Sequence, residues 1–382
     1  MSVAMIDRTF WRNGIGAGDR LGLLPLPLAG EGTMWRCSRN GIGLMDALPE
    51  FALVRARTLD DVIRARANHP ASSLLGGGTD LVVNIRRGIV APPVLIDVNH
   101  VEELRAIRAD ARSLEIGAAV KLAELAAHPE VTRHYPVVAQ AAGFIAGPTH
   151  RNMGTVGGNL CLDTRCLFYN QSEWWRAANH HCLKTTGDVC HVAPKSRGVC
   201  FATFSGDLAP ALLTLGAEVD LAGPAGKRTI ALEGLYIGYA RQDRPISESE
   251  GDGKYYLSLR PGEFVTAVRA KNTPGLRSAY DKIRIRRSIE YPVTGVAVAL
   301  RREREALADL RVAFTGTNPR PVLLKGTAEL CGGALDARVF KGLDELVRDQ
   351  IMSMKTTFTP GHYRRRVAGV LARRLLATLF GE

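Results

Sequence analysis

The chain has 382 residues, 46% of them apolar and 23% charged, with a formal net charge of +12. This is ordinary globular composition, and the length allows two or three domains with their own cores. No uncharged apolar run of about 18 residues occurs, and no charged start followed by an apolar core and a small-residue cleavage site opens the chain, so the expectation is a soluble protein without a secretory signal. The seven cysteines are odd in number and sparse, unlike a disulfide scaffold, and suit a reducing, cytoplasmic compartment. Despite the basic balance, the arginines are scattered and no nucleic-acid-binding motif accompanies them. Patches such as "RVAGVLARR" read as solvated helix faces or subunit contacts.

Residues 1–44 are glycine-rich and show neither helical nor strand periodicity. They read as a disordered extension, or as sequence upstream of a natural start at Met45. The next stretch, "FALVRARTLDDVIRARANHP", predicts a short strand, a Thr58 N-cap and an amphipathic helix with Leu59, Val62, Ile63 and Ala67 on one face. A strand ending in a glycine turn follows in "SSLLGGGTDLVVNIRRG", then a short buried strand in "VLIDV". "KLAELAAHPEV" and "YPVVAQAAGFIAG" read as helices, and "LAPALLTLGAEVDLAG" as a helix followed by a strand. Beyond about residue 270, "KIRIRRSIEYPVTGVAVALRR" and "LADLRVAFTGT" predict antiparallel strands, and "VFKGLDELVRDQIMSM" and "GHYRRRVAGVLARRLLATLF" predict helices. The implied organisation is α+β: a first subdomain over 45–98, a second over 99–268 that carries an inserted loop at 161–203, and a C-terminal domain over 269–382.

Two glycine loops stand out. "LLGGGTDL" places Gly76, Gly77 and Gly78 directly after a strand, where absent Cβ atoms let successive N–H groups converge on an anion and Thr79 adds a hydroxyl donor. It is neither the P-loop nor the spaced GxGxxG fingerprint. The second loop, "GPTHRNMGTVGGNLC", carries Gly154, Thr155, Gly157, Gly158 and Asn159. Together the two loops suit a dinucleotide diphosphate gripped from both sides.

"LLGGGTDL" with "GTVGGNL", followed by "SGDLAPALLTLGA" and "KIRIRRSIEYPVTGVAVAL", resembles the FAD-binding medium subunits of the xanthine dehydrogenase and carbon monoxide dehydrogenase family of molybdenum hydroxylases. The resemblance runs from Met45 to the end. It implies a two-subdomain FAD-binding domain of the vanillyl-alcohol oxidase (PCMH) type and a C-terminal flavoprotein domain. It further implies that Ser73, Leu74, Leu75, Gly76, Gly77, Gly78, Thr79 and Asp80 bind the FAD diphosphate. Gly154, Thr155, Val156, Gly157, Gly158 and Asn159 would close on its other side. Ile145 would lie near the isoalloxazine, Asp207 would contact the cofactor, and Lys282 would stand beside the flavin ring and stabilise its reduced anion.

Between "TVGGNL" and "SGDLAPAL" lies an insertion with Cys166, Cys182, Cys190 and Cys200 and two adjacent tryptophans. Four thiolates match a [4Fe–4S] cluster, one per iron. Zinc is the competing reading, although no close pair such as CxxC is present; unrelated buried cysteines are a third. His180, His181 and His191 read as ordinary loop residues, and Trp174 and Trp175 as packing the loop against the domain. Cys37 and Cys331 lie outside the motif. The insertion is similar to the extra cluster loop of 4-hydroxybenzoyl-CoA reductase β subunits, which most medium subunits lack. That resemblance implies an electron-transfer subunit taking electrons from ferredoxin. It would stand in a dimer of heterotrimers beside a large molybdopterin-binding subunit and a small subunit with two [2Fe–2S] clusters.

Overall fold

In the computed structural model, residues 48–238, 250–286 and 289–381 are described, together with the backbone of 24–26 and 34–36. Two strands, β1 (Leu24–Leu26) and β2 (Met34–Arg36), pair antiparallel with each other, and β2 pairs with β3 (Ala52–Arg55). Residues 1–44 were expected to hold no strand. Three-residue strands are too short to leave a period in sequence, which is why these two were not legible. The rest of that extension, including Cys37, lies outside the described residues.

The helix α1 (Leu59–Asn68) begins at Thr58 with a reciprocal capping box to Asp61. Its buried positions are Val62 and Ala65, while Ala67, expected on the inner face, is exposed. There follow β4 (Ser73–Leu75), α2 (Leu81–Arg86) and β5 (Val94–Asp97). Strand β5 lies between β3 and β4, parallel to both. Its uninterrupted apolar run is what a parallel strand covered on both faces requires.

A second, antiparallel sheet starts with β6 (Ile107–Ala109) and β7 (Ser113–Gly117). The chain then runs through α3 (Leu122–Ala127), α4 (Pro129–His134), α5 (Pro136–Phe144), α6 (Pro148–Met153) and α7 (Val156–Leu160). The single helix expected across "KLAELAAHPEV" is split at His128, because a residue before proline avoids the helical region and proline starts a new helix well. The insertion holds α8 (Glu173–Ala178), and α9 (Leu208–Thr214) follows it. Strands β8 (Glu218–Gly223), β9 (Gly226–Ala231) and β10 (Phe264–Lys271) complete the sheet in the order β6-β7-β10-β8-β9.

The third sheet is a meander of β11 (Leu276–Ile283), β12 (Thr294–Glu303), β13 (Ala306–Thr315) and β14 (Val322–Leu323), covered by α10 (Ala337–Gln350) and α11 (Gly361–Gly381). Alternation along β12 assigns its faces. Val296, Val298 and Leu300 join the core under α10 and α11, whereas Ala297 joins the core of the second sheet. Helix α10 is capped by Asp336, whose carboxylate accepts from the N–H groups of Arg338 at 2.9 Å and Val339 at 3.1 Å. Asp336→Ala is expected to lower unfolding free energy by about 1 kcal/mol with unchanged flavin content. Urea denaturation followed by circular dichroism measures it, and no shift in the midpoint would show the cap to be idle.

Candidate flavin site and cysteine insertion

The two glycine loops meet backbone to backbone. A Cβ on Gly77 would stand 1.9 Å from the carbonyl oxygen of Met153, and one on Gly76 would stand 2.9 Å from the Thr155 hydroxyl. Gly78 has φ of +69°, a left-handed conformation that favours glycine. On the second loop, Thr155 accepts from the N–H of Gly158 at 3.2 Å, and Gly157 packs so tightly on Ala118 that a Cβ would approach its methyl to 2.8 Å. A polar tie fixes the first loop from behind. Asn99 donates to the Gly76 carbonyl at 2.7 Å, and the Lys121 ammonium donates to Asn99 at 2.6 Å and to the Met153 carbonyl at 3.1 Å.

These loops line one side of a cavity of about 870 Å³. Of the residues expected at the flavin, Ser73, Leu74, Gly76 to Asp80, Ile145, Gly154, Thr155, Gly157 to Asn159 and Asp207 all reach its wall. Leu75 and Val156 do not. Val156 is wholly buried in the core of the second sheet. Lys282 also stays off the wall. Its side chain is fully buried behind Asp207, to which the ammonium is paired at 3.1 Å, while the Tyr280 hydroxyl donates to the same carboxylate at 2.5 Å. The lysine thus acts on the cavity through Asp207. The phenol of Tyr280 is pushed well above its ordinary value by burial and by that carboxylate.

Several wall residues gave no motif signal. Arg165 is buried, is paired with Asp80 and donates to Asn84 at 2.8 Å; its guanidinium is held charged, the neighbouring Tyr291, Asp80 and Asp163 outweighing desolvation. Arg66 sits on the otherwise apolar side of α1 and donates to the Ser72 carbonyl at 2.5 Å, with desolvation drawing its pKa down. An arginine at that helical position is the one signal sequence reading could have used. Arg66 Nε, Arg165 Nε and His150 Nδ1 are buried without a hydrogen-bond partner, and all three residues belong to the cavity wall. Glycine backbone on one side and unpartnered nitrogens around it fit an anionic dinucleotide. Cys161 is also in the wall, its thiol pushed up to about 12 by burial.

The insertion starts at the cavity and leads away from it. Arg165 and Thr203 form a bridge that closes its base, and Cys166 follows at once. Cys166, Cys182 and Cys200 share one buried cluster with Tyr169 and Ala202; Cys190 lies in an adjoining cluster, and Leu183 and Val192 pack against both. None is in a disulfide. Burial pushes the Cys166 thiol up to about 11, against backbone N–H groups of Phe168 and Tyr169, and the charges of Cys190 and Cys182 add to the rise. Burial also raises the Cys200 thiol, with Lys184 and the Ala202 N–H opposing and Cys190 adding. Cys190 thus lies within electrostatic reach of both Cys166 and Cys200, and Cys182 within reach of Cys166. Among the described residues no group of three or more His, Cys, Asp or Glu is placed to hold a metal ion. Trp175 packs on Phe168, with ring centroids 6.3 Å apart, but Trp174, expected to pack likewise, is 80% exposed.

Residues 49–270 match the family described as the FAD binding domain in molybdopterin dehydrogenase, and 278–379 match the CO dehydrogenase flavoprotein C-terminal domain. The chain belongs to the FAD-binding molybdopterin dehydrogenase family. It is an FAD medium subunit of a molybdenum hydroxylase of the xanthine, aldehyde or carbon monoxide dehydrogenase type, and so an oxidoreductase flavoprotein subunit. The aldehyde oxidoreductase FAD-binding subunit PaoB of Escherichia coli is 29% identical over 331 residues, 84% of this chain and 97% of that one. The carbon monoxide dehydrogenase medium chain of Hydrogenophaga pseudoflava is 25% identical over 308 residues, covering 80% and 88%. A chain of the Cu,Mo-CO dehydrogenase superposes with a TM-score of 0.68 at 22% identity, covering 87% of this chain and 98% of that one. Quinoline 2-oxidoreductase from Pseudomonas putida 86 gives 0.67 at 20%, covering 88% and 98%. The expected fold, a PCMH-type FAD domain followed by a CO dehydrogenase flavoprotein C-terminal domain, is the one observed. No helix among the described residues is long and apolar enough to cross a membrane.

For this family member, Gly77→Ala is expected to force the glycine loops apart at about 1–3 kcal/mol, lowering flavin affinity about tenfold or more. Gly143→Ala, in α5 with nothing within 4 Å of the added methyl, is expected to keep full flavin. The FAD-to-protein absorbance ratio after gel filtration compares them, and equal ratios would remove the glycine contact from the binding argument.

Proposed function

We propose that this medium subunit serves a reductase of the 4-hydroxybenzoyl-CoA type, with FAD in the glycine-loop cavity and a [4Fe–4S] cluster on Cys166, Cys182, Cys190 and Cys200. The observation that carries the reading is the gathering of these four buried, unbridged cysteines in one insertion rooted at the cavity wall. A cubane offers its irons at four separate corners, so its thiolates stand farther apart than the ligands of one ion. Backbone N–H groups directed at Cys166 and Cys200 are the dipoles that stabilise anionic thiolates.

When bound, the cluster and flavin together supply single-electron passage and two-electron storage. The chain's own residues do the rest. The glycine backbone and the Arg66, His150 and Arg165 side chains hold the diphosphate end. Asp207, locked by Lys282 and Tyr280, keeps a fixed carboxylate at the cavity wall. Electrons would enter from ferredoxin and leave through a small two-[2Fe–2S] subunit to a large molybdopterin subunit, where two electrons and two protons would release the phenolic hydroxyl as water and leave hydrogen on the ring.

A second reading is a medium subunit of an oxidative enzyme, favoured by the 29% identity to the aldehyde oxidoreductase subunit. Iron and acid-labile sulfide on anaerobically purified protein test the cluster: about four of each per FAD is expected. Cys182→Ser is expected to lose iron while retaining FAD. Flavin without iron in folded, oxygen-free protein would leave the oxidative reading. For the complex, oxidation of reduced ferredoxin that depends on 4-hydroxybenzoyl-CoA supports the reductase, and aldehyde-dependent reduction of an acceptor without it would replace it.

A further inference from the structure

The net charge is not spread evenly along the chain. Residues 269–382 contain 22 of the 50 lysines and arginines but 11 of the 38 acidic residues, a net +11, which leaves +1 for the flavin half. A large part of the excess lies on α11, a 21-residue helix with five arginines and no aspartate or glutamate. A solvated helix face ordinarily intersperses both signs. Arg364 is turned inward, where it donates to the carbonyls of Val293 at 3.2 Å and Met354 at 3.0 Å and to the Thr356 hydroxyl at 2.8 Å; Thr356 in turn bonds the Thr203 hydroxyl at 2.7 Å. Arg373 pairs with Asp344 of α10 at 2.8 Å. The other three, Arg365, Arg366 and Arg374, are exposed, and among the described residues none of them pairs with a carboxylate.

Helical spacing places Arg366, Val370, Arg373, Arg374 and Ala377 on one side of α11, and that side borders a groove of about 600 Å³ against α10. The apolar lining comes from Ala337 and Phe340 on α10 and from Val370 and Ala377 on α11. The charged lining is Lys341, Arg373 and Arg374 against the single carboxylate of Asp344, which Arg373 already occupies. Helices α10 and α11 cover the side of the third sheet that faces away from the second-sheet core, and no residue of the groove belongs to the flavin-cavity wall. A partner seated here is held behind the third sheet from the cavity. The face therefore suits attachment of a subunit rather than electron exchange with the flavin.

We propose that this face docks an acidic amphipathic helix of the large molybdopterin-binding subunit. The apolar lining takes the apolar stripe of that helix, and Lys341, Arg366 and Arg374 pair with its carboxylates. Like charges along α11 repel one another until an anionic surface covers them, so the excess cations favour the assembled state and speed encounter. Docking of this kind requires the molybdenum subunit that both readings above share, and no cluster in this chain.

The test is analytical gel filtration of the co-expressed complex over a dilution series, with FAD quantified in each peak. Arg366→Glu combined with Arg374→Glu is expected to raise the concentration at which the large subunit dissociates about tenfold or more, with FAD per chain unchanged. Added salt is expected to weaken the wild-type contact in the same direction. Lys227→Glu combined with Lys271→Glu makes the same charge change at exposed sites on the second sheet and is expected to leave the complex whole. An intact complex with the α11 double variant overturns the proposal. Equal dissociation with both double variants also overturns it, since net charge alone then decides, as does loss of only the small subunit or of bound nucleic acid. Should the α11 variant not fold by circular dichroism, Lys341→Glu on α10 decides alone: release of the large subunit supports the docking face and retention overturns it. Iron and sulfide content decide the cluster reading separately, and an iron-free chain leaves this face unaffected.

Discussion

The approach of Gly77 to the Met153 carbonyl is the contact on which the cofactor cavity depends. It joins a loop that ends a parallel strand to a loop that starts a short helix in a different sheet, with no room for a side chain between them. Because both partners are backbone, the separation of the loops cannot be adjusted by rotamer changes. Asn99 and Lys121 then tie the same two segments from behind. The cavity therefore exists only when two independently built layers are docked, which puts the binding surface at a junction, where ligand sites commonly form.

The same junction starts the insertion. Arg165 pairs with Asp80 on the glycine-loop side and is adjacent in sequence to Cys166 on the other. One short segment consequently carries both the wall of the flavin cavity and the first of the four cysteines. Polar groups with fixed positions, among them Lys184, Asp163 and Tyr169, fill the space between.

Much of this was legible in sequence because it depends on residue types with few alternative uses. The Thr58 cap and the apolar run of Val94 to Ile96 each have one ready physical explanation, and the consecutive glycines after a strand, which alone also suit a tight turn, point to an anion site once paired with the second glycine loop. The buried cations were not legible. In a chain with 50 lysines and arginines, nothing local separates Arg165, Lys184 or Arg364 from a surface residue, since their burial comes from segments far away in sequence. Lys282 was expected beside the flavin ring, and the structure puts Asp207 between the lysine and the cavity, a relation set by the packing of the start of α9 on β11. The same limit explains Trp174: neighbouring tryptophans on a helix point about 100° apart, and only tertiary contact decides which one is covered.

The hydroxyl of Thr356 bonds to Thr203 across 153 residues of chain, and Arg364 comes later still. Domains fold largely from the N-terminus as a chain emerges during synthesis. The floor of the cysteine insertion, however, is supplied by the final stretch before the C-terminal helix. The insertion is therefore finished only at the end of translation, after the flavin half has its own strands and helices. A chain shortened at its C-terminus would keep its flavin walls while leaving the thiols of the insertion open to oxidation.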